Sequence, residues 1–220
     1  NWNPEPLTWY MQSLFMRNQM NVGVRIAPLD MADLGEAGND LAHVVGTDAV
    51  NFTDAQLSGV RQFVDKGGVI FFESAGGNPE FDQSVRDALL QIYPGKQFVR
   101  LTSQPVISGT GLPNGFDNRK VSYRRYFSQR GMGSFREPRM VALMFDGEPR
   151  VIVSELDVSS GMLSQPIWGV FGYDAETSQK LMANILLYGE KVSPEFDPNA
   201  STPDEEDADE AEGDGDEIEL

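Results

Sequence analysis

Residues 51–77 read NFTDAQLSGVRQFVDKGGVIFFESAGG, a helix signal joined through two glycines to an apolar strand, and this pair decides the fold. Thr53 stands as an N-cap with Gln56 three positions on, the spacing at which a hydroxyl and a side-chain amide satisfy each other's free backbone N–H groups. Leu57, Val60, Phe63 and Val64 then recur on one helical face. Gly67 and Gly68 supply the left-handed stop that a residue with a Cβ resists. The strand GVIFFES follows at once. It is apolar on consecutive rather than alternate residues, as expected of a parallel strand covered on both faces.

Working outward, NPEFDQSVRDALLQIYP reads as a second helix started by Asn78 or Pro79, with Phe81, Val85, Leu89, Leu90 and Ile92 as its apolar side. Upstream, LAHVVGTD predicts a short strand over about residues 41–47, preceded by a helix or loop, MADLGEAGND, and a short strand in VGVRIAPLD ending at Pro28. PEPLTWYMQSLFMRNQM predicts an opening helix over 6–18 with Leu7, Tyr10, Met11, Leu14 and Phe15 on its inner side. Downstream, KQFVRL is a short strand. MVALMFDGEPRVIVSE is a hairpin turning at Asp146-Gly147, and DAETSQKLMANILLYGEK is a closing helix with Leu181, Ile185, Leu186 and Tyr188 apolar. Strand, helix, strand, helix in this order predicts an α/β fold with a doubly wound, mostly parallel sheet.

The net charge of −17 is unevenly spread. Residues 195–220 hold 13 of the 34 acids and no base, so the body carries 21 acids against 17 bases. We expect one α/β domain over 1–192 and a disordered acidic tail over 193–220, whose like charges repel and whose apolar content is too low to offset ordering. The absence of cysteine excludes disulfides, thiolate metal sites and a cysteine nucleophile. No apolar run reaches the ~18 residues of a membrane span, so no membrane contact is expected of this segment itself, nor any cofactor.

Four groups of residues carry the candidate chemistry. Glu73, Ser74, Gly76 and Gly77 close an apolar strand, where parallel α/β sheets place their ligands and where glycines admit an anion to the backbone. The spacing fits neither a phosphate loop nor a nucleophile elbow. Asp157, with Glu155, Ser159 and Ser160, follows the strand RVIVSE and is expected on the same rim, where paired carboxylates serve acid–base or metal chemistry. His43 is the one histidine, so any imidazole base must be this residue, although a hydrogen-bonded structural role is the commoner one at a strand start. Arg119, Lys120, Arg124, Arg125, Arg130, Arg136 and Arg139 alternate with Tyr123, Tyr126, Phe127 and Phe135. Such a stretch suits phosphate-bearing ligands, but beside an acidic body we expect intramolecular or protein contacts and no nucleic acid. Trp2, Trp9 and Trp168 are either core residues or stacking surfaces for a sugar.

The order of DAVNFTDAQLSGVRQFVDKGGVIFFESAGG, QPVI, DGEPRVIVSELDVSSGML and NILLYG resembles the bacterial domain family of unknown function DUF4159. That family's pattern runs from a helix ending in Gly-Gly, through an apolar strand ending in acids and a His-Pro segment, to a "dGR" strand and a closing helix. The resemblance covers about residues 1–190. Here Glu73-Ser74 stand where the family often has two aspartates, Gln104 replaces the histidine before Pro105, and Glu148-Pro149 separate Gly147 from Arg150. The resemblance implies a three-layer, class I glutamine amidotransferase-like, flavodoxin-type domain. It also implies a larger exported or membrane-anchored bacterial parent, of the periplasm or cell envelope.

With no nucleophilic cysteine, we expect a non-catalytic ligand-binding or protein-interaction module whose partners are other domains of the same protein or separate proteins. Two alternatives stand beside it. One is a hydrolase or metal-dependent enzyme using Glu73 and Asp157 with His43 as base. The other is a carbohydrate-binding domain, implied by trehalose-utilisation relatives and by Trp168 near the Asp157 loop.

Overall fold

The structure is a computed structural model that describes residues 5–132, 134–165 and 167–193. Trp2 and the acidic run from 194 to 220 lie outside the described residues. The chain order is α1 (Glu5–Phe15), β1 (Leu41–Gly46), α2 (Asp54–Asp65), β2 (Val69–Ser74), α3 (Pro79–Ile92), β3 (Val99–Arg100), α4 (Pro105–Ser108), α5 (Arg125–Phe127), β4 (Met140–Phe145), β5 (Glu148–Ser154), α6 (Ser159–Met162) and α7 (Ala175–Val192).

The local signals around α2 act as the sequence predicts. Thr53 and Gln56 form both bonds of the capping box, and the helix stops where Gly67 turns to φ 95° and the Gly68 N–H reaches back to the Phe63 carbonyl at 3.0 Å. Every residue of β2 is buried. Val69 and Phe71 face a core shared with α7 and Met16, while Ile70 and Phe72 face one built on Val60, Phe63, Phe81 and Leu89 of α2 and α3. A strand with two apolar faces therefore holds two cores together, and each fully buried Phe contributes about 2–3 kcal/mol of transfer free energy.

The five strands lie in the order β1-β2-β5-β4-β3. β1 pairs with β2 and β2 with β5 in parallel, whereas β4 pairs antiparallel with both β5 and β3. Four strands thus point one way, and the reversed β4 is returned by the predicted hairpin, with Asp146 at φ 51° and Gly147 at φ 85°. These are the paired positive φ angles of a turn whose twist matches its strands.

Two expectations near the N-terminus are corrected. The opening helix runs over Glu5–Phe15 and passes into a π turn over Met16–Met20 that ends at Asn21 with φ 56°. Its buried side is Thr8, Gln12, Met16 and Met20, while Leu7 and Tyr10 face solvent. The small Thr8 and the Gln12 amide, which donates to the Gln179 carbonyl at 3.3 Å, seat the helix on α7 in place of the apolar stripe. The predicted strand in VGVRIAPLD does not form, because no neighbour supplies a ladder for it. Val22 and Val24 pack inward without pairing, and Ile26 and Leu29 remain exposed.

Candidate functional site

β1, β2 and β5 end on the same side of the sheet, with Gly46 opposite Ser74 and Glu73 opposite Ser154. Glu73 alternates onto the face of Phe71 and is wholly buried. Its Oε1 accepts from the backbone N–H groups of Val158 and Ser159 at 2.9 and 2.7 Å. Its Oε2 accepts from the Ser159 hydroxyl at 2.8 Å and lies 3.0 Å from His43 Nε2. The His43 ring is stacked on Phe71, centroids 5.0 Å apart, and is met edge-on by Trp9 at 5.3 Å. With Nε2 turned to a carboxylate, His43 Nδ1 is left buried without a partner.

Asp157 is the second carboxylate of this rim and is almost as deeply buried. One oxygen accepts from the Gly76 N–H at 2.7 Å, and the other accepts from the Ser160 N–H at 3.0 Å and from the Ser160 hydroxyl. Burial first, and the charge of Glu73 second, push the Asp157 carboxyl up to about 6, against the opposing pull of the Gly76 and Ser160 donors. The structure brings Asp157, expected on the rim of Glu73, to the Gly76 N–H just beyond β2, and it brings His43, read from the sequence as a residue of a strand start, against Glu73.

Other expected members of the site sit elsewhere or play different parts. Glu155 is turned away from Glu73 and meets Arg139 at 2.7 Å, Arg86 at 3.2 Å and Arg100 at 3.8 Å. The next residue parity of an extended chain sends its side chain to the opposite face from Ser154. Ser74 contributes its backbone to the β1 ladder, and its hydroxyl is buried without a partner. Gly76 and Gly77 both adopt positive φ, and a Cβ at Gly77 would stand 2.4 Å from the Phe171 carbonyl oxygen. What approaches these glycines is the chain itself: the Asp157 carboxyl accepts from the Gly76 N–H at 2.7 Å, and the Phe171 N–H donates to the Gly76 carbonyl at 3.0 Å.

The basic stretch is similarly divided. Arg119 pairs with Asp117, Arg139 with Glu155, and Arg124 is buried with Nη1 on the Gln165 carbonyl at 3.1 Å and Nε without a partner. Burial lowers the Arg124 pKa while Asp157 and Asp174 act to raise it, so this arginine belongs electrostatically to the interior of the rim. Neither its burial nor the role of Ser159 was signalled in the sequence beyond the run of two serines after Asp157. Arg130 lies over the Tyr126 ring and bonds its hydroxyl at 2.8 Å. Tyr126 in turn touches Trp168 edge-on at 5.0 Å and Phe171 at 5.1 Å, and Trp168 is 71% exposed.

Chemically, Glu73 and Asp157 fasten turns to strand ends: Glu73 ties β2 to the turn leading into α6, and Asp157 ties that turn to Gly76. Among the described residues, no three His, Cys, Asp or Glu side chains are grouped to hold a metal ion. One depression in the surface lies over the start of α3 and the loop before α2, lined by Ala49, Pro79, Glu80, Gln83, Ser84 and Asp87.

Compared with known proteins, residues 11–189 match the family described as Domain of unknown function (DUF4159), and the chain belongs to that family. No curated protein matches it.

Proposed function

Proceeding from that family membership, we propose that the chain is a non-catalytic ligand-binding or protein-interaction module of a larger bacterial protein, folded as a three-layer, flavodoxin-type relative of the class I glutamine amidotransferases. The layered reading is supported by the two cores on opposite sides of β2, one lined by α7 and the other by α2 and α3. The amidotransferase reaction needs a thiolate nucleophile, and the sequence has no cysteine.

The observation that carries the proposal is the closure of Glu73. A general base must reach a substrate proton, whereas this carboxylate is wholly buried and occupied by two backbone N–H groups, a hydroxyl and an imidazole. Its partner His43 is also screened, with 6% of its side chain exposed. The binding surface is instead the ledge of Trp168, Tyr126 and Arg130, which the Asp157 loop holds in place through the Asp157 N–H to Phe171 carbonyl bond at 3.0 Å.

A second reading, carbohydrate binding, is favoured by the same exposed Trp168, since an indole face is the usual stacking surface for a sugar ring. One titration tests both. Trp168 fluorescence and thermal unfolding are followed against soluble oligosaccharides, nucleotides and peptides, in wild type, Trp168→Ala and Glu73→Gln. Stabilisation that Trp168→Ala abolishes and Glu73→Gln retains supports the module, and confinement of the effect to oligosaccharides selects the second reading. Turnover of ester or glycoside substrates that vanishes in His43→Ala would overturn the non-catalytic proposal.

A further inference from the structure

The ledge draws its residues from two stretches of chain, 118–136 and 158–173, which the structure joins at several points. The Arg124 N–H donates to the Gly172 carbonyl at 2.9 Å, Tyr123 bridges to Tyr173, and Tyr126 meets both Trp168 and Phe171. The Val121 N–H donates to the Arg136 carbonyl at 2.6 Å, which brings Lys120 beside Arg136. These two stretches hold six bases and no acid, whereas the rest of residues 1–194 holds all 21 acids of that span against 11 bases. Arg124 is buried, while Arg119, Lys120, Arg125, Arg130 and Arg136 are exposed. Arg119 is shared with Asp117 at 2.6 Å, an exposed bridge of a kind that water largely screens. The surface that carries Trp168 is thus the one on which this acidic chain concentrates positive charge.

One polyanion is always close to it. Residues 195–220 carry 13 acids and no base, so the rest of the body repels them and the ledge attracts them. α7 starts at the ledge, where the Asp174 N–H donates to the Ser122 carbonyl at 3.0 Å, and its 18 residues carry the chain about 27 Å away before the run begins. A segment as long as that from Ser193 to Ala208 spans about 20–24 Å as a coil and about 50 Å when extended. The distance back to the ledge lies between the two. A tether of this length keeps the run near the ledge at about millimolar effective concentration, so several weak ion pairs suffice to hold it there.

We propose that the acidic run 195–220 lies on the ledge of its own chain, its carboxylates exchanging among Arg125, Arg130 and the neighbouring bases beside Trp168, so that a ligand of the ledge must displace it. The contact rests on the charge distribution and the chain length. Its consequence for a ligand rests on the function proposed above.

The chain has no cysteine, so Ala208→Cys puts a nitroxide spin label at one site in the run, and the full chain enriched in a nitrogen isotope reports its position by NMR. In about 20 mM salt, where charges act over about 20 Å, the Trp168 indole N–H and the Gln129 and Arg130 amides should lose at least about half their intensity. The amides of residues 54–57, at the start of α2 on the face of the sheet opposite α7, should keep theirs. Raising the salt to about 0.5 M should restore the ledge signals. So should Arg125→Gln with Arg130→Gln and, in a second variant that leaves the folded body unaltered, Glu205→Gln, Glu206→Gln, Asp207→Asn, Asp209→Asn and Glu210→Gln together. Ledge signals that stay sharp at low salt overturn the proposal, as does broadening that survives either set of substitutions. Broadening that requires mixing spin-labelled chain with enriched, unlabelled chain assigns the occupant to a second copy and overturns it too. The two readings fail separately. Ligand stabilisation that depends on Trp168, with no broadening from the run, refutes this contact and leaves the proposed function; broadening with no ligand stabilisation upholds the contact and refutes the function.

Discussion

The strand-end rim and the ledge beside it hold the same kinds of residue in opposite states. At the rim Glu73, Asp157 and Arg124 are buried, and the two carboxylates are met by backbone N–H groups of the next turn. At the ledge Arg130 and Trp168 are exposed, and both meet Tyr126, which packs in turn on Phe171. The difference teaches that polar chemistry concentrated at a strand end can be spent within the chain. Where the donors are the chain's own amides the charge holds loops, and the surface those loops carry is the one we propose for a ligand.

The sharpest way to break that contrast is Glu73→Ala. It would strand the His43 Nε2, the Val158 and Ser159 N–H groups and the Ser159 hydroxyl around the wholly buried position of Glu73. Removing one side of a buried charged network costs about 3–5 kcal/mol, and urea midpoints at neutral pH should show it. Glu73→Gln keeps the volume and an acceptor oxygen and should cost about half as much. A loss below about 1 kcal/mol for the alanine variant would mean the rim opens to solvent and would revive it as a site.

Next in size are the glycines. Gly77→Ala meets both a positive φ and the Phe171 carbonyl at 2.4 Å, whereas Gly76→Ala has positive φ and open space. The expected costs are about 2–3 kcal/mol for the first and about 1 kcal/mol for the second. Equal costs would remove the argument that the chain's own backbone occupies the approach to Gly77.

Asp157 gives the rim a pH signature of unusual sign. Burial and Glu73 raise its carboxyl to about 6 in the folded protein, while the unfolded chain restores the ordinary value near 3.9. Between these values the folded state holds the extra proton, so this group's contribution to stability declines as pH rises from about 4 to above 6 and is flat below that window. Compared with Asp157→Asn, wild type should therefore lose stability more steeply between pH 4.5 and pH 7, in denaturant titrations at a series of pH values, by about 1–2 kcal/mol. Parallel curves would place the Asp157 carboxyl in the usual carboxylate range and in better contact with water.

Much of the scaffold was legible because local chemistry and tertiary structure agree there. Thr53 and Gln56 cap α2, the doubly apolar VIFFES becomes a strand between two cores, and Asp146-Gly147 turns the hairpin. The reading erred where tertiary contacts overrode periodicity. α1 buries Thr8 and Gln12 because α7 and α6 offer it a close and polar seat, and VGVRIAPLD stays unpaired because a strand needs a neighbour that its own sequence cannot supply. At the site, the residue types and the strand ends were visible. The depth of Glu73, the departure of Glu155 to three arginines and the burial of Arg124 were not, since each depends on which way one side chain points after the strand ends.

The smallest stability effect is expected at the ledge, and its smallness is what makes it informative. Trp168 packs one edge against Tyr126 and leaves 71% of its surface in water. Truncation to alanine removes little buried area and strands no polar partner, so the unfolding midpoint should move by no more than about 0.5 kcal/mol. A residue that costs so little to lose yet keeps a large apolar ring in water is held there against the hydrophobic effect. If Trp168→Ala leaves stability unchanged and removes ligand stabilisation, the ledge is the working surface and the rim its support. If the same variant destabilises the fold by more than about 1 kcal/mol, the indole is part of the core, and the distinction between the two regions fails at its exposed end.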